Sequence, residues 1–292
     1  ATFRKTKCHP YRIEESAQTL DLRNIAIIAH VDHGKTTLVD ALLRQSGIFH
    51  AKQNVAERAM DSMDQERERG ITILSKCTSI EWRGMRINVV DTPGHADFGG
   101  EVERILGMVD GVLLLVDAVE GAMPQTKFVT AKALALGLKP IVVVNKVDRP
   151  EQRVEEVHEE VFDLFAALGA TDEQLDFPVL YASSKEGWAS TEPGVVGKDL
   201  DCLVERIVEH VASPEVQPDG AFTMLATTLE SDPYLGRVLT GRIQSGFVTT
   251  NMTVKAMNPE SEEVETTRLS KVLVFRGLKR IGVERAEAGD IV

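Results

Sequence analysis

Short runs of apolar residues recur through the first two thirds of the chain, separated by longer segments that mix apolar and charged positions. Such runs, bounded by polar residues, are typical of strands buried on both faces of a parallel sheet. We predict strands at residues 25–29, 87–90, 112–116, 141–144 and 179–182.

Helical periodicity fills the gaps between these runs. In residues 154–168, apolar side chains recur at alternating three- and four-residue spacings, which predicts one buried stripe along a helix. Further helices are predicted after Lys35, over residues 101–108, after Gln125 and over residues 200–211. Strands and helices that alternate in this way predict right-handed βαβ crossovers, and therefore an α/β fold with a mostly parallel, doubly wound sheet.

The pattern changes after residue 213. Residues 214–220 contain prolines, an aspartate and a glycine, which indicates a linker between a first domain at 21–213 and a second at 221–292. Closely spaced strand-like segments predict a small antiparallel β-barrel in the second domain. These segments are residues 222–229, 237–243, 252–256, 264–267 and 271–274.

Residues 1–20 show neither helical nor strand periodicity, and several basic side chains occur among them. We predict a loosely ordered N-terminal extension. A remnant of an organellar transit peptide is the alternative. Glu14 and Glu15 disfavour it, because transit peptides are poor in acidic residues.

The composition of the chain limits the kinds of partner that we expect it to bind. The chain has 33 Lys and Arg against 45 Asp and Glu, a net charge of −12, which disfavours a protein that wraps DNA or bare RNA over most of its surface. Contact with RNA would therefore be local. Cys8, Cys77 and Cys202 show no paired spacing, so neither disulfides nor a zinc site are expected and the cytoplasm is the predicted compartment. No apolar run approaches the length of a membrane span.

Residues 29–37 read Ala-His-Val-Asp-His-Gly-Lys-Thr-Thr and lie between a predicted strand and a predicted helix. Such a loop can bind phosphates through its backbone N–H groups, while the Lys35 ammonium reaches the β- and γ-oxygens and the Thr36 hydroxyl binds Mg²⁺. Ala29 stands where the general pattern has glycine, so the identification depends on the flanking elements and downstream motifs. The predicted phosphate-binding residues here are Asp32, His33, Gly34, Lys35, Thr36 and Thr37.

A second motif, Asp91-Thr92-Pro93-Gly94-His95, closes the predicted strand 87–90. Asp91 can hold Mg²⁺ through a water molecule, and the Gly94 amide can approach the γ-phosphate because no side chain crowds it. A plain Pro-Gly turn would explain the middle of this motif but neither the aspartate before it nor the histidine after it.

Between these motifs lies a long polar stretch, residues 48–70, of a kind that is more often functional than accidental inside a compact domain. It leads to Thr72, whose hydroxyl is the predicted Mg²⁺ ligand that depends on the γ-phosphate. Arg67 or Arg69 could serve as an internal arginine finger, although ordinary solvated charge is the favoured interpretation.

A tetrapeptide with the sequence Asn-Lys-Val-Asp, residues 145–148, follows the predicted strand 141–144. The Asp148 carboxylate can accept two hydrogen bonds from guanine N1–H and the N2 amine, which adenine does not offer, and the Lys146 stem can pack along the base. These residues predict selection of GTP over ATP. Farther along, the Ser184 amide is expected to meet the guanine carbonyl oxygen. The other predicted guanine-binding residues are Asn145, Val147, Ser183 and Lys185.

Several strings of the chain resemble those of translational GTPases, and most closely the BipA/TypA group of ribosome-associated GTPases. They are AHVDHGKTT, ERERGITI, DTPGHADFGGEVER, NKVDRP and YASSKEGWA, and GRVLTGRIQSG resembles domain II of that family. The resemblance runs from residue 22 to residue 292. Ser184 stands where the family more usually has alanine, a mild departure because the backbone would make the contact. The family comparison places residues 289–292 in mid-strand, so we expect a truncated chain that lacks the family's later domains.

The resemblance also implies roles for individual residues. His95 would orient the attacking water after the ribosome repositions it, and Val31 with Ile71 would form a hydrophobic gate that holds this histidine back. Asp32 would hold a monovalent cation near the phosphates. Because such a histidine positions water rather than removing a proton, intrinsic turnover is expected to be slow and to be stimulated by the ribosome.

The expected function is a Mg²⁺-dependent GTP hydrolase, a monomeric switch that binds the rRNA and proteins of the ribosome in translation or large-subunit assembly, especially under stress. One alternative is a GTP-dependent binding module in which hydrolysis is incidental. A general elongation factor or a sulfate-activation GTPase would share the same motifs. A P-loop kinase or ATPase conflicts with Asp148.

Overall fold

The computed structural model of the chain describes residues 22–47, 76–92, 99–258 and 262–292. Its first part contains seven strands: β1 Leu22–Ala29, β2 Lys76–Trp82, β3 Met85–Asp91, β4 Gly111–Asp117, β5 Lys139–Asn145, β6 Val179–Ser183 and β7 Trp188–Ser190. They form one sheet in the order β2-β3-β1-β4-β5-β6-β7. The five central strands run parallel to one another, as the alternating pattern predicts.

Helices cover both faces of this sheet. They are α1 Lys35–Gln45, α2 Gly99–Leu106, α3 Pro124–Ala135, α4 Val154–Ala167, α5 Asp172–Leu175 and α6 Asp201–His210. Successive strand residues point to opposite faces, so Ile25 and Ile27 pack with α1 and α6, whereas Ala26 and Ile28 pack with α2, α3 and α4. The doubly wound α/β sheet is therefore confirmed.

Both edge strands were missed by the sequence pattern. β2 and β7 pair antiparallel with β3 and β6, respectively. β2 joins β3 through Arg83 and Gly84, which both have positive φ, 47° and 84°, as a tight hairpin turn requires. β2 is only partly buried and mixes polar with apolar residues, and β7 is buried but only three residues long, so neither shows a clear apolar run.

The second part consists of antiparallel strands, as predicted. They are β8 Thr223–Asp232, β9 Gly236–Ser245, β10 Phe247–Thr249, β11 Thr253–Met257, β12 Glu263–Arg268, β13 Val272–Arg276, β14 Lys279–Val283 and β15 Arg285–Glu287. They pair as four two-stranded sheets, β8-β9, β10-β15, β11-β12 and β13-β14. Ile243, Val248, Val272, Val274 and Ala286, from three of these sheets, share one small apolar core.

The two parts meet along a surface that includes the amino-terminal ends of the central strands. The Asn24 amide donates to the Gly289 carbonyl at 3.1 Å, and Arg242 Nη1 lies 2.8 Å from Asp110 Oδ1. At the sheet edge, the Ser79 hydroxyl donates to the Phe275 carbonyl at 2.7 Å. The predicted domain limits remain a prediction. Within the described ranges, no helix is long and apolar enough to cross a membrane.

Candidate nucleotide-binding site

The phosphate loop connects the carboxyl end of β1 to the start of α1. Asp32 and Gly34 have left-handed conformations, with φ of 63° and 94°. A Cβ atom at Gly34 would collide with the Asn145 side-chain amide, so this position needs glycine for both its φ and its close approach. Gly34 offers α1 no side-chain cap, which leaves the amides of the first turn available to an anion at the positive end of the helix dipole.

The predicted phosphate and metal residues lie together at this edge of the sheet. Lys35 is buried, and its Nζ lies 2.7 Å from Asp91 Oδ1 at the end of β3 while also donating to the Thr92 carbonyl. The Thr92 hydroxyl donates to the Ile27 carbonyl in β1 at 2.6 Å, which fixes the two strand ends relative to each other. The predicted phosphate-binding lysine and the predicted metal-binding aspartate are therefore in direct contact.

The donors present suit Mg²⁺. Thr36, half-buried in the first turn of α1, and Asp91 offer a hydroxyl and a carboxylate, the hard oxygen donors that this ion prefers. The described residues contain no cluster of three or more Asp, Glu, His or Cys side chains that could hold a metal ion. Such a donor set fits Mg²⁺ sites in which nucleotide phosphates and water supply the remaining ligands.

Several predicted site residues lie outside the described residues. They are Arg67, Arg69, Ile71, Thr72, Gly94 and His95. Of the predicted hydrophobic gate, only Val31 is described, and it is half-buried in the phosphate loop. Among the other loop residues, Asp32 and Thr37 are exposed.

The Asn145 side chain, at the end of β5, links the phosphate loop to the loop that follows β6. It is buried, and its side-chain amide donates to the His33 carbonyl at 2.8 Å. Its Oδ1 accepts hydrogen bonds from the Ser184 amide at 3.0 Å and the Ser184 hydroxyl at 2.8 Å. The amide that we expect to meet the guanine carbonyl oxygen is therefore engaged by Asn145, and its contact with guanine stays a prediction.

The remaining predicted guanine-binding residues surround this junction. Val147 is half-buried, Asp148 and Lys185 are exposed, and Ser183 is buried beside Ser184. Ser183 Oγ accepts the Glu186 amide at 3.3 Å, which holds the turn that follows β6. The structure thus places the tetrapeptide and the serine-containing loop side by side, with the Asp148 carboxylate at the surface.

Lys146 reaches across the site towards the phosphate loop. Its backbone is left-handed, with φ of 64°, and its Nζ donates to the Asp32 carbonyl. The same Nζ lies 2.7 Å from Oδ2 of Asp117, a buried residue at the end of β4. Burial alone would raise the pKa of Asp117, but Lys146 and the Val119 and Glu120 amides outweigh burial and lower the pKa from its usual value.

Sequence reasoning missed Asp117. The signal was present, because Asp117 directly follows an apolar run just as Asp91 and Asn145 follow theirs. Since β4 lies between β1 and β5, its carboxyl end must lie between the phosphate loop and the guanine tetrapeptide.

His33 packs beneath the phosphate loop. It is buried, its Nδ1 accepts the Asp117 amide at 3.3 Å, and its Nε2 lies 3.3 Å from a Glu120 carboxylate oxygen. Burial is the main cause that lowers the pKa of His33, which favours the neutral ring. The same Nδ1 also lies 3.4 Å from the Leu115 carbonyl oxygen. His30 packs against the His33 ring edge, with centroids 5.1 Å apart.

Comparison with known proteins agrees with this arrangement. The family model of the elongation factor Tu GTP-binding domain matches residues 20–213, and the model of elongation factor Tu domain 2 matches residues 236–292. A crystal structure of a Thermus thermophilus protein aligns with a TM-score of 0.68 at 23% identity, covering 92% of this chain and 51% of that one. At this identity the likeness supports the fold alone.

Curated relatives are closer in sequence. The chain is 56% identical over 271 residues to the large ribosomal subunit assembly factor BipA of Escherichia coli K12, and 57% identical over 272 residues to that of Haemophilus influenzae. Each match covers 93% of this chain but 44% of the relative, so the chain spans less than half the length of these proteins. Because the GTP-binding-domain model covers most of its length, the chain belongs to the GTPase family that contains the elongation factor Tu GTP-binding domain.

Proposed function

We propose that this chain binds GTP with Mg²⁺ and hydrolyses it to GDP and phosphate, as a switch that acts on the ribosome. The observation that carries the proposal is the meeting of two groups of residues at the carboxyl edge of one sheet. Lys35 and Asp91 form the phosphate side, and Asn145 with Lys146 forms the base side. The phosphate loop connects the two sides, because Asn145 and Lys146 both donate hydrogen bonds to its backbone carbonyls.

In the proposed reaction, water attacks the γ-phosphorus and the bond to the oxygen that bridges the β- and γ-phosphates breaks. The Lys35 ammonium and the amides of the first turn of α1 would stabilise negative charge on the phosphate oxygens. Thr36, Thr72 and, through water, Asp91 would hold Mg²⁺, which neutralises charge on the β- and γ-oxygens when bound. The Gly94 amide would contact the γ-phosphate, and His95 would orient the water.

Selection of guanine would depend on the Asp148 carboxylate. An exposed carboxylate beside the Lys146 stem can accept both guanine N–H groups, and adenine offers no matching pair of donors. Asp32, whose exposed side chain lies in the phosphate loop, is the proposed ligand of a monovalent cation. Val31 and Ile71 are the proposed gate for His95.

The ribosome is the proposed partner because the curated relatives are described as large ribosomal subunit assembly factors. These relatives are bacterial, which supports a cytoplasmic location. We further propose that the chain acts as a monomer, in subunit assembly or in translation.

The test is GTP turnover with and without 70S ribosomes for the wild-type chain, His95→Ala and, as a matched control, His158→Ala on the exposed surface of α4. Ribosomes should accelerate wild type and the control alike. Loss of the residue that positions water should reduce the stimulated rate by roughly a hundredfold. Turnover that ribosomes leave unchanged, or stimulation that survives His95→Ala, would contradict the proposal.

A further inference from the structure

Asp117 is a fully buried carboxylate at the junction of the two halves of the site. Its Oδ2 lies 2.7 Å from Lys146 Nζ and 3.5 Å from Arg149 Nη1. Its Oδ1 accepts the Val119 amide at 2.7 Å, which closes the turn after β4. Burying a carboxylate costs free energy unless the carboxylate is paired. The ion pair with Lys146 offsets this cost, and it restricts the position of the Lys146 ammonium.

Lys146 is the residue that this carboxylate constrains. Its left-handed backbone is uncommon for a residue with a side chain, and such conformations persist only where the surroundings fix them. Its side chain is 20% exposed, so the ammonium could otherwise reach solvent. The ion pair to Asp117 and the hydrogen bond to the Asp32 carbonyl together fix the path of the lysine stem from the base tetrapeptide to the phosphate loop.

We propose that Asp117 is a positioning residue for guanine-nucleotide binding, which holds Lys146 extended so that its stem forms one wall of the base pocket. The inference rests on the proposed function, because it needs Lys146 to contact the base. The two oxygens of Asp117 have separate tasks. Oδ1 closes the local turn, whereas Oδ2 carries the attraction to Lys146, so asparagine would preserve the turn and weaken the ion pair.

The experiment measures the dissociation rate of a fluorescent GDP analogue from the purified chain. Asp117→Asn should accelerate dissociation about tenfold, because a charge-assisted contact to Lys146 is lost. The matched control is Glu209→Gln, which removes a carboxylate from an exposed pair with Arg206 on α6 and should not change the rate. In steady-state turnover, the loss should raise KM for GTP far more than it lowers kcat.

A double-mutant cycle separates positioning of Lys146 from a general structural role. In a Lys146→Met background, which keeps the stem and removes the ammonium, Asp117→Asn should cause no further acceleration. Additive effects in that background, or a single Asp117→Asn variant that matches wild type, would overturn the proposal. If the single Asp117→Asn variant does not fold, the comparison is between Lys146→Met and the double variant. These two should have the same dissociation rate, and faster dissociation from the double variant would refute the proposed role of Asp117.

The same measurements distinguish a failure of the proposed function from a failure of the proposed role of Asp117. A wild-type chain that does not retain the GDP analogue at all would refute guanine-nucleotide binding itself. A wild-type chain that retains it, with a cycle that shows no coupling, would refute only the role of Asp117.

Discussion

Asp32, Gly34 and Lys146 all have left-handed backbone conformations, with φ of 63°, 94° and 64°. Two of them bear side chains, for which such φ values are uncommon outside special sites. The sequence motifs, together with the elements that flank them, predict all three as site residues. These motifs do not include Asp117, whose contact with Lys146 depends on the adjacency of β4 and β5.

Gly34→Ala tests whether the phosphate loop needs glycine for the site rather than for the fold. The added Cβ would meet the Asn145 amide and displace it from the His33 carbonyl, so GTP affinity should fall by roughly tenfold or more. Gly137→Ala is the matched control, since Gly137 also has a positive φ, 74°, but its Cβ would meet no atom within 4 Å.

Titration calorimetry with GTP and thermal unfolding of both variants give the measurement. Gly137→Ala should cost about 1 kcal/mol of folding stability and bind GTP as wild type does. Equal losses of GTP affinity in the two variants would show that backbone strain alone, and not the Asn145 contact, explains the glycine.

At the scale of elements, the central strands and the long helices could be predicted because their apolar patterns are strong. The edge strands β2 and β7 could not, since an edge strand is defined by its neighbour more than by its own pattern. In the second part, three of the four ladders join strands that are consecutive in the chain, whereas β10 (residues 247–249) pairs with the distant β15 (residues 285–287), a long-range pairing that single segments do not encode. For the candidate site, the sequence supplied the motifs but not the hydrogen bonds of Asn145 that join them.

The contact between β9 and the loop before β4 should be important for stability. Arg242 and Asp110 form an ion pair whose side chains are 12% and 15% exposed, and Arg242 also donates to the Met108 carbonyl. Arg242→Ala should lower the free energy of unfolding by about 3 kcal/mol, because the buried Asp110 carboxylate loses its ion-pair partner and keeps the hydrogen bond from the Asn24 amide. Arg237→Ala, which breaks an exposed pair with Glu265, should cost at most about 1 kcal/mol.

The pH dependence of this loss follows from Asp110. Burial raises its pKa even with Arg242 present, so the folded state binds the proton more tightly than the unfolded state. Stability from this group is present below the unfolded pKa and is lost as pH rises through the folded pKa. The cost of Arg242→Ala, measured by urea unfolding, should therefore be largest near pH 7 and shrink on acidification. A cost that grows towards acid pH would contradict this account.

At the scale of the whole molecule, the two ends of the central strands make different contacts. The carboxyl ends carry the candidate nucleotide site, and the amino ends contact the second part through Asn24 and Asp110. A net charge of −12 means that any approach to ribosomal RNA must use a local surface rather than the overall field of the protein.

The central claim is that this site selects guanine through Asp148. Calorimetric titration of GTP, ATP and XTP into wild type and Asp148→Asn tests it most directly. Wild type should bind GTP at least about a hundredfold more tightly than ATP, because two hydrogen bonds to a carboxylate are lost with adenine. Asp148→Asn should lose GTP affinity and gain XTP affinity, since the asparagine amide can donate to the extra carbonyl oxygen of xanthine. ATP that binds wild type as tightly as GTP, or an Asp148→Asn variant with unchanged preference, would contradict the account.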